Sequence, residues 1–273
     1  MKIVRAAAQL LSDAEAHWYG RRQRQYYKDL TFTAAVGQFP ERNALHAYAH
    51  HYFRHICPEV IRTHRAYFRR DQRGFGEDAF HAMWWILLRE FKPERCLEIG
   101  VYRGQVISLW AMTAKTLGYS CEVHGISPFL PVGDAVSNYR EDVDYLADTL
   151  KSFDAFDLPH PTLVCALSID PSAVKHLSTQ KWDLIYIDGS HDYKTVFADY
   201  ILCRDHLTPG GLLVMDDASL GTPFKPPRFS FAGHPGPSRV AVEFAMKELK
   251  FLGAVGHVNV FRSAGASSLT CTQ

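Results

Sequence analysis

Residues 95–262 alternate short apolar runs with longer amphipathic stretches, and this alternation is the main structural signal of the chain. The clearest apolar run is 184–187, which Asp183 precedes and a polar segment follows. A continuous apolar run of this length predicts a strand buried on both faces, as in a parallel sheet. By the same criterion, strands are predicted at 95–100, 122–126, 162–166, 183–187 and 212–215, with two more over 251–262 joined by a turn at Gly256.

Amphipathic stretches separate the predicted strands. Helices are predicted at 106–117, 171–177, 193–206 and 240–250, the acidic stretch 134–153 is predicted as helical, and 207–211 is predicted as a turn. Strands that alternate with helices are typical of a mostly parallel sheet covered on both faces. The predicted fold is therefore α/β, a Rossmann-like, doubly wound, mostly parallel sheet of seven strands.

The first 73 residues show no strand-like alternation. Pro40 and Pro58 divide this region into about three predicted helices. A further helix is predicted at 77–91, with an apolar stripe that we interpret as core packing. The predicted organisation is an N-terminal helical extension or cap over 1–75, a main domain over 76–263 and a tail over 264–273. The Gly- and Pro-rich stretch 220–237 is predicted as a loop facing the substrate.

Composition narrows the class of protein. Hydrophobic residues make up 47% of the chain and charged residues 22%, which predicts a packed globular core. The net charge of +1 argues against a general polyanion partner, so no nucleic acid is expected. No apolar run approaches the roughly 20 residues needed to span a bilayer. The six cysteines form no CxxC pair, and Cys96, Cys121 and Cys165 are predicted as mostly buried, reduced thiols of a cytoplasmic protein.

Polar side chains follow two of the predicted strands directly. Asp188, Ser190 and His191 follow the strand that ends at 187, and Asp216 and Asp217 follow the strand that ends at 215. Ligands of open α/β sheets bind beyond the carboxyl ends of the strands. If the two strands are neighbours, three carboxylates and one imidazole meet at one edge. The alternative is structural: the aspartates cap a loop and the histidine caps a helix.

Such a group has a coherent chemistry. An alkyl hydroxyl is a poor nucleophile at neutral pH, and a divalent cation held by hard oxygen ligands can acidify and position it. A nearby histidine can accept the proton, because its pKa lies near neutrality. The site therefore suits the transfer of a group to a hydroxyl.

A glycine-containing loop follows the first predicted strand. It has the pattern ExGxxxG, with Glu98, Gly100 and Gly104, where a dinucleotide site would more often show GxGxxG. Glycines allow a cofactor to approach the backbone closely. A carboxylate at the end of the strand suits a cofactor that carries an ammonium group rather than a pyrophosphate.

Three segments together resemble a known family: the loop 98–104, the segment 182–193 with Asp-Gly-Ser-His-Asp-Tyr at its end, and the segment 207–217. They are similar to the class I S-adenosylmethionine-dependent methyltransferases. The most similar branch is that of the metal-dependent O-methyltransferases of the macrocin and mycinamicin type, which act on sugars. The resemblance covers roughly residues 75–263.

This resemblance implies a role for each matching residue. Asp188, Asp216 and Asp217 would bind a divalent metal, Mg²⁺ or Mn²⁺ in its place, and His191 would be the general base, with Asp188 beside it at the catalytic centre. Residues implied to bind S-adenosylmethionine are Glu98, Gly100, Tyr102, Gly104, Ser127, Ser168 and Asp188. Ser127 stands where the family normally has an acidic residue for the ribose, so its single uncharged contact replaces a charged one.

The acceptor is left open between several classes. The leading hypothesis is a hydroxyl of a sugar, glycoside or related polyol, supplied as a small molecule or glycan. A catechol or other phenolic natural product is the alternative within the same reaction class. The other classes are an NAD-dependent oxidoreductase, which the missing GxGxxG disfavours, and a non-catalytic cofactor-binding module. A homo-oligomer is compatible with the sequence, which does not specify the oligomeric state.

Overall fold

The computed structural model describes residues 28–137, 139–227 and 231–265, together with the isolated positions 7, 10, 11 and 14. From residue 28 onward, four α-helices come first: α1 (Phe32–Gln38), α2 (Arg42–His55), α3 (Glu59–Arg69) and α4 (Asp78–Phe91). Strands and helices then alternate as β1 (Arg95–Ile99), α5 (Gln105–Leu117), β2 (Glu122–Ser127), α6 (Tyr145–Asp154), β3 (Thr162–Cys165), α7 (Pro171–Ser178), β4 (Trp182–Ile187), α8 (Tyr193–Asp205) and β5 (Leu207–Met215). The final helical segment begins as α9 (Pro235–Val240), continues through a π-helical turn (Ala241–Ala245) and ends as α10 (Met246–Glu248), before β6 (Lys250–Val255) and β7 (Val258–Arg262).

The seven strands form one sheet in the order β3-β2-β1-β4-β5-β7-β6. Strands β1 to β5 pair in parallel, and β7 is antiparallel to both β5 and β6. The predicted α/β class and the seven-stranded, mostly parallel sheet are confirmed. The predicted pair of strands joined at Gly256 is also present.

Alternate residues of the central strands enter two different cores. Leu184 and Tyr186 of β4 belong to a core shared with α2, α4 and α5, whereas Ile185 and Ile187 belong to a core shared with α7 and α8. This alternation explains why the central strands are apolar throughout: both of their faces are covered.

The N-terminal helices pack directly on the sheet. In α4, the ring of Trp84 lies 5.1 Å from that of Trp110 in α5 and 5.0 Å from that of Tyr186 in β4, measured between centroids. Arg42 of α2 donates through Nη1 to Ser219 Oγ, just after β5, at 2.8 Å and to Asn259 Oδ1, in β7, at 2.5 Å. The described part of the extension therefore shares its core with the main domain, and the boundary at residue 75 stays a prediction. Most of 1–27 and all of 266–273 lie outside the described residues.

Two predicted elements are wrong in extent. Among the described residues of the acidic stretch 134–153, only 145–153 are helical, within α6 (Tyr145–Asp154). The Asp134 carboxylate accepts hydrogen bonds from the backbone N–H groups of Val136 and Ser137 at 3.1 Å, and such local side-chain bonds compete with helix formation. The segment predicted as a turn at 207–211 is the first half of β5, because Leu207 already pairs with Trp182.

The cysteine prediction is correct only in part. Cys96 is buried, but Cys121 is half-buried and Cys165 is exposed. Cys165 lies on β3, an edge strand of the sheet, where one side lacks a neighbouring strand. Within the described ranges, the helices are too short or too polar to cross a bilayer.

Candidate active site

The carboxyl ends of β1, β4 and β5 lie at one level of the sheet. Ile99 is in register with Ile187, and Ile187 is in register with Met215. Asp188 and Asp216 therefore leave adjacent strands side by side, as predicted for neighbouring strands. A small pocket at this edge is lined by the segment Ile187–His191, by Met215, Asp216 and Asp217, and by Val196 and Pro237.

The loop between β1 and α5 needs its glycines. Gly100 has φ of +99°, and a Cβ built on it would lie 2.1 Å from the carbonyl oxygen of Asp188. Gly104 has φ of +78° and precedes the first residue of α5. Both conformations favour glycine, and the absent Cβ at Gly100 lets the two loops touch.

Glu98 fits a cationic ligand. Its side chain is 3% exposed, and its Oε2 atom has no hydrogen-bond partner among the described residues. Burial raises the pKa of Glu98 to about 8, and the charge of Asp216 acts in the same direction. A hydrogen bond from the Ile107 backbone opposes this rise. A buried carboxylate oxygen without a partner is costly, and the ammonium group of S-adenosylmethionine has the charge that would pair with it.

Three further predicted cofactor residues, Tyr102, Ser127 and Ser168, have different surroundings. The Tyr102 ring is half-buried and lies 5.3 Å from the Tyr145 ring and 5.0 Å from the Phe75 ring, between centroids. Ser127 is buried at the end of β2. Ser168 lies beyond β3, and its side chain hydrogen-bonds Asp199 of α8. Their roles toward a cofactor stay predictions.

The three predicted metal ligands lie at the sheet edge in different environments. Burial raises the pKa of Asp188 well above its ordinary value, and the charges of Asp216 and Glu98 add to this effect. Burial also raises the pKa of Asp216, and the charge of Asp217 acts in the same direction. A second observation concerns the backbone of Asp217, which has φ of +52°, a strained value for a non-glycine residue. Like charges held together in a partly buried site favour the binding of a cation.

His191 is held between two carboxylates. Its Nδ1 lies 2.8 Å from Asp134 Oδ2, and its Nε2 lies 3.0 Å from Asp217 Oδ2. Burial alone would lower the pKa of His191, but the hydrogen bonds with Asp217 and Asp134 outweigh it and raise the pKa. The capping alternative does not hold for this histidine, because Asp192 caps α8 by accepting from Lys194 and Thr195. The ring of His191 faces the carboxylates instead.

Three residues of this site were not predicted: Asp134, His234 and His257. The turn pattern Asp-x-x-Ser at 134–137 is the one local signal for Asp134, which also accepts from the backbone of His191 at 2.5 Å. His234 precedes α9, and its Nε2 lies 3.8 Å from Asp217 Oδ2. His257 occupies the turn between β6 and β7. Because Asn259 pairs with Met215, this turn lies at the same edge as Asp216.

Among the described residues, two groups bring three metal-binding atoms within 4.8 Å of one another. One contains Asp216, Asp217 and His257, and the other contains His191, Asp217 and His234. Asp188 belongs to neither group. The predicted metal roles of Asp188, Asp216 and Asp217 stay predictions.

Aromatic side chains from distant parts of the chain surround His257. The Phe80 ring of α4 lies 4.8 Å away and the Phe231 ring of the loop after β5 lies 5.0 Å away, between centroids. Nearby, His46 Nε2 of α2 lies 3.1 Å from Glu77 Oε2, and the His46 ring packs against Phe224. The N-terminal helices and the loop after β5 thus form one wall of the site.

Part of the chain matches a known protein family. Residues 97–218 match a family described as a methyltransferase domain. No curated protein sequence matches the chain. The match begins in β1 and ends just beyond Asp217, so it includes the glycine loop and the predicted metal ligands.

Solved structures share the fold at low sequence identity. The Podospora anserina methyltransferase PaMTH1, solved with SAH bound, is 16% identical, and the alignment covers 76% of this chain and 88% of that one, with a TM-score of 0.52. An O-methyltransferase from Bacillus cereus, also in complex with SAH, is 13% identical over 76% of this chain and 92% of that one, with a TM-score of 0.51. The predicted methyltransferase is supported by the match of residues 97–218 to a methyltransferase domain, and the chain has the fold of these solved methyltransferases.

Proposed function

We propose that the protein is an S-adenosylmethionine-dependent, divalent-metal-assisted O-methyltransferase that acts on a hydroxyl of a sugar, glycoside or related polyol. One observation carries the proposal: the loop that fits the cofactor touches the loop that carries the carboxylates. A Cβ on Gly100 would lie 2.1 Å from the Asp188 carbonyl oxygen. A cofactor against the first loop and an acceptor against the second would therefore be neighbours.

The cofactor would be held by residues at the ends of β1 and β2. Glu98 would pair with the ammonium group, and Gly100 and Gly104 would admit the methionine chain close to the backbone. Ser127 would hydrogen-bond a ribose hydroxyl, with Tyr102 and Ser168 farther along the cofactor. The unpaired, buried Oε2 of Glu98 supports this orientation.

Asp188, Asp216 and Asp217 would hold the cation. When bound, a divalent cation supplies positive charge that stabilises the acceptor oxygen as its proton leaves. The carboxylates would hold the cation at the carboxyl ends of β4 and β5, next to the loop that contains Gly100 and Gly104. Their burial strengthens the electrostatic effect, because the local dielectric constant is low.

His191 would accept the proton of the acceptor hydroxyl. In the neutral form of His191, donation from Nδ1 to Asp134 at 2.8 Å orients the ring and leaves Nε2 as the atom that takes the proton. His191 Nε2 lies 3.0 Å from Asp217 Oδ2, so the base lies beside one of the predicted cation ligands. Methyl transfer then needs the acceptor oxygen placed in line with the sulfonium methyl group, which is a proximity effect.

Acceptor recognition is assigned to the wall formed by α2, α4 and the loop after β5. It combines aromatic rings with the His46–Glu77 pair, which can hydrogen-bond hydroxyl groups. This mixture supports a hydroxyl-rich acceptor. In this scheme residues 76–263 bind the cofactor and carry out the transfer, and the N-terminal extension contributes to specificity.

The test uses methyl-labelled S-adenosylmethionine and a panel of sugar nucleotides, glycosides, catechols and other phenols. Label is expected in a glycosyl or polyol hydroxyl when Mg²⁺ or Mn²⁺ is present, and EDTA is expected to abolish transfer. Transfer only to catechols would replace the sugar assignment with the phenolic one. Binding of NAD in calorimetry, without a response to S-adenosylmethionine or its demethylated product, would contradict the methyltransferase proposal.

A further inference from the structure

The buried imidazole of His257 faces the two carboxylates that follow β5. Its Nε2 lies 3.4 Å from Asp216 Oδ1 and 3.6 Å from Asp217 Oδ1, and its side chain is 7% exposed. The other ring nitrogen, Nδ1, lies 3.1 Å from the carbonyl oxygen of Phe231. Since a carbonyl can only accept, Nδ1 donates there, and Nε2 can present its lone pair to the carboxylates. Histidines that bind metals commonly use the second nitrogen in this way.

Asp216 supplies an independent observation. Its Oδ1 atom is buried and has no hydrogen-bond partner within the described part of the chain. The 3.4 Å separation from His257 is longer than the roughly 2.9 Å of an ordinary N–H···O hydrogen bond. Two ligand atoms that are each about 2.1 Å from one ion lie roughly 3.0–3.4 Å apart. The spacing therefore suits a shared cation better than a direct hydrogen bond.

We propose that Asp216, Asp217 and His257 form a site for a first-row transition metal, which binds in preference to Mg²⁺. The inference rests on the proposed function only in that both concern one cation held by Asp216 and Asp217, and here the third ligand is His257 rather than Asp188. Imidazole nitrogen is a common ligand of Zn²⁺, Fe²⁺ and other first-row transition metals, whereas Mg²⁺ is bound almost entirely by oxygen. A site of two carboxylates and one imidazole therefore disfavours Mg²⁺, the cation that a site of three aspartates would bind.

The other group of three is a weaker site. Both nitrogens of His191 are already paired with carboxylates, and His234 Nε2 is 3.8 Å from Asp217. The side chains of His191 and His234 are 21% and 25% exposed. His257 is more deeply buried, and its Nε2 faces two carboxylates at once.

Pulsed EPR of the full-length protein loaded with Mn²⁺ tests the ligand directly. The spectrum is expected to show ¹⁴N coupling from a bound imidazole. The coupling should persist in His160→Gln, which changes an exposed histidine paired with Asp154, and disappear in His257→Gln. Wild-type protein that binds Mn²⁺ without nitrogen coupling overturns the inference, and this measurement needs no variant to fold. Coupling lost in His234→Gln but kept in His257→Gln also overturns it.

Calorimetry tests the selectivity. His257→Gln replaces the ring nitrogen with an amide oxygen, so Mn²⁺ affinity is expected to fall at least about tenfold while Mg²⁺ affinity changes little. A thermal melt confirms that the variant is folded. If the affinities for Mn²⁺ and Mg²⁺ fall together, or neither changes, His257 has only a structural or charge-pairing role and the inference is wrong.

These readouts require no turnover, so the two proposals can fail separately. A nitrogen-ligated Mn²⁺ site in a protein that transfers no methyl group would keep this inference and remove the proposed function. Metal-dependent methyl transfer without a nitrogen ligand would do the opposite.

Discussion

At the residue scale, Glu98 combines burial, an unpaired carboxylate oxygen and a pKa raised to about 8. We expect Glu98→Gln to weaken S-adenosylmethionine binding by roughly 10- to 100-fold, because a charge-assisted hydrogen bond contributes about 1.5–3 kcal/mol. The variant should be at least as stable as wild type, since an unpaired buried carboxyl group is removed. Calorimetry and a thermal melt measure both quantities. Unchanged cofactor affinity would place the ammonium group elsewhere.

His191 is the residue whose chemical role is most open to test. We expect His191→Ala to lower kcat by roughly 10²–10⁴-fold, the usual contribution of a positioned acid or base. S-adenosylmethionine affinity should stay close to that of wild type, because the ring faces the carboxylates and not the glycine loop. His191→Asn is the control, since it keeps a polar side chain but cannot accept the proton. A folded His191→Asn enzyme with wild-type kcat would remove this residue from the mechanism.

Asp199 makes stability depend on pH. It is 2% exposed in α8, and burial raises its pKa to about 6, against a lowering hydrogen bond from Ser168. The folded protein therefore holds a proton between pH 3.8 and about 6 that the unfolded chain has lost, so the contribution of Asp199 to stability falls across this window. Above about pH 6 the loss is complete and lowers the free energy of unfolding by an amount on the order of 3 kcal/mol.

Asp199→Asn mimics the protonated side chain and should remove this loss. We expect its Tm to exceed that of wild type at pH 7.5 and to match it near pH 4. Thermal melts of both proteins across this pH range measure the difference. A Tm difference that does not vary with pH would show that Asp199 remains charged in the fold.

At the element scale, the β1–α5 loop is constrained by contact with the β4–α8 loop. Gly100→Ala combines a positive φ with a clash against the Asp188 carbonyl, whereas Gly118→Ala has a φ of +71° and no atom within 4 Å of the new Cβ. We expect Gly118→Ala to cost about 1–2 kcal/mol. Gly100→Ala should cost clearly more and should also weaken cofactor binding. Urea titrations of the two variants give the comparison, and equal costs would mean that the loops separate easily.

The elements that sequence predicted well are those in which local pattern and tertiary environment agree. Strand β4 is apolar at every buried position, and Pro171 and Asp192 mark the starts of α7 and α8. The helix predicted over 134–153 is too long, because the Asp134 side chain hydrogen-bonds to nearby backbone groups and to His191, which is 57 residues away. The turn predicted at 207–211 is wrong because the pairing of Leu207 with Trp182 is not visible in the local sequence.

At the scale of the whole molecule, sequence predicted the half of the site that sits on parallel strands. The carboxyl ends of such strands share one edge, so the sequence alone predicts that Asp188 and Asp216 lie close together. His257 could not, because its position depends on the antiparallel pairing of β7 with β5. Glu77 and His46 likewise reach the site only through the packing of helices that carry no motif.

The position of β7 in the sheet has a consequence for biogenesis. The strand is the last of the seven in the chain, yet it lies between β5 and β6 rather than at an edge. On a ribosome, the outer edge of β5 therefore stays unpaired until residue 262 is available, and that edge is the apolar segment leading to Asp216. An unpaired apolar edge is a template for wrong association. Released chains that end before residue 258 should accordingly need chaperone protection, whereas released chains that include residue 265 should resist protease.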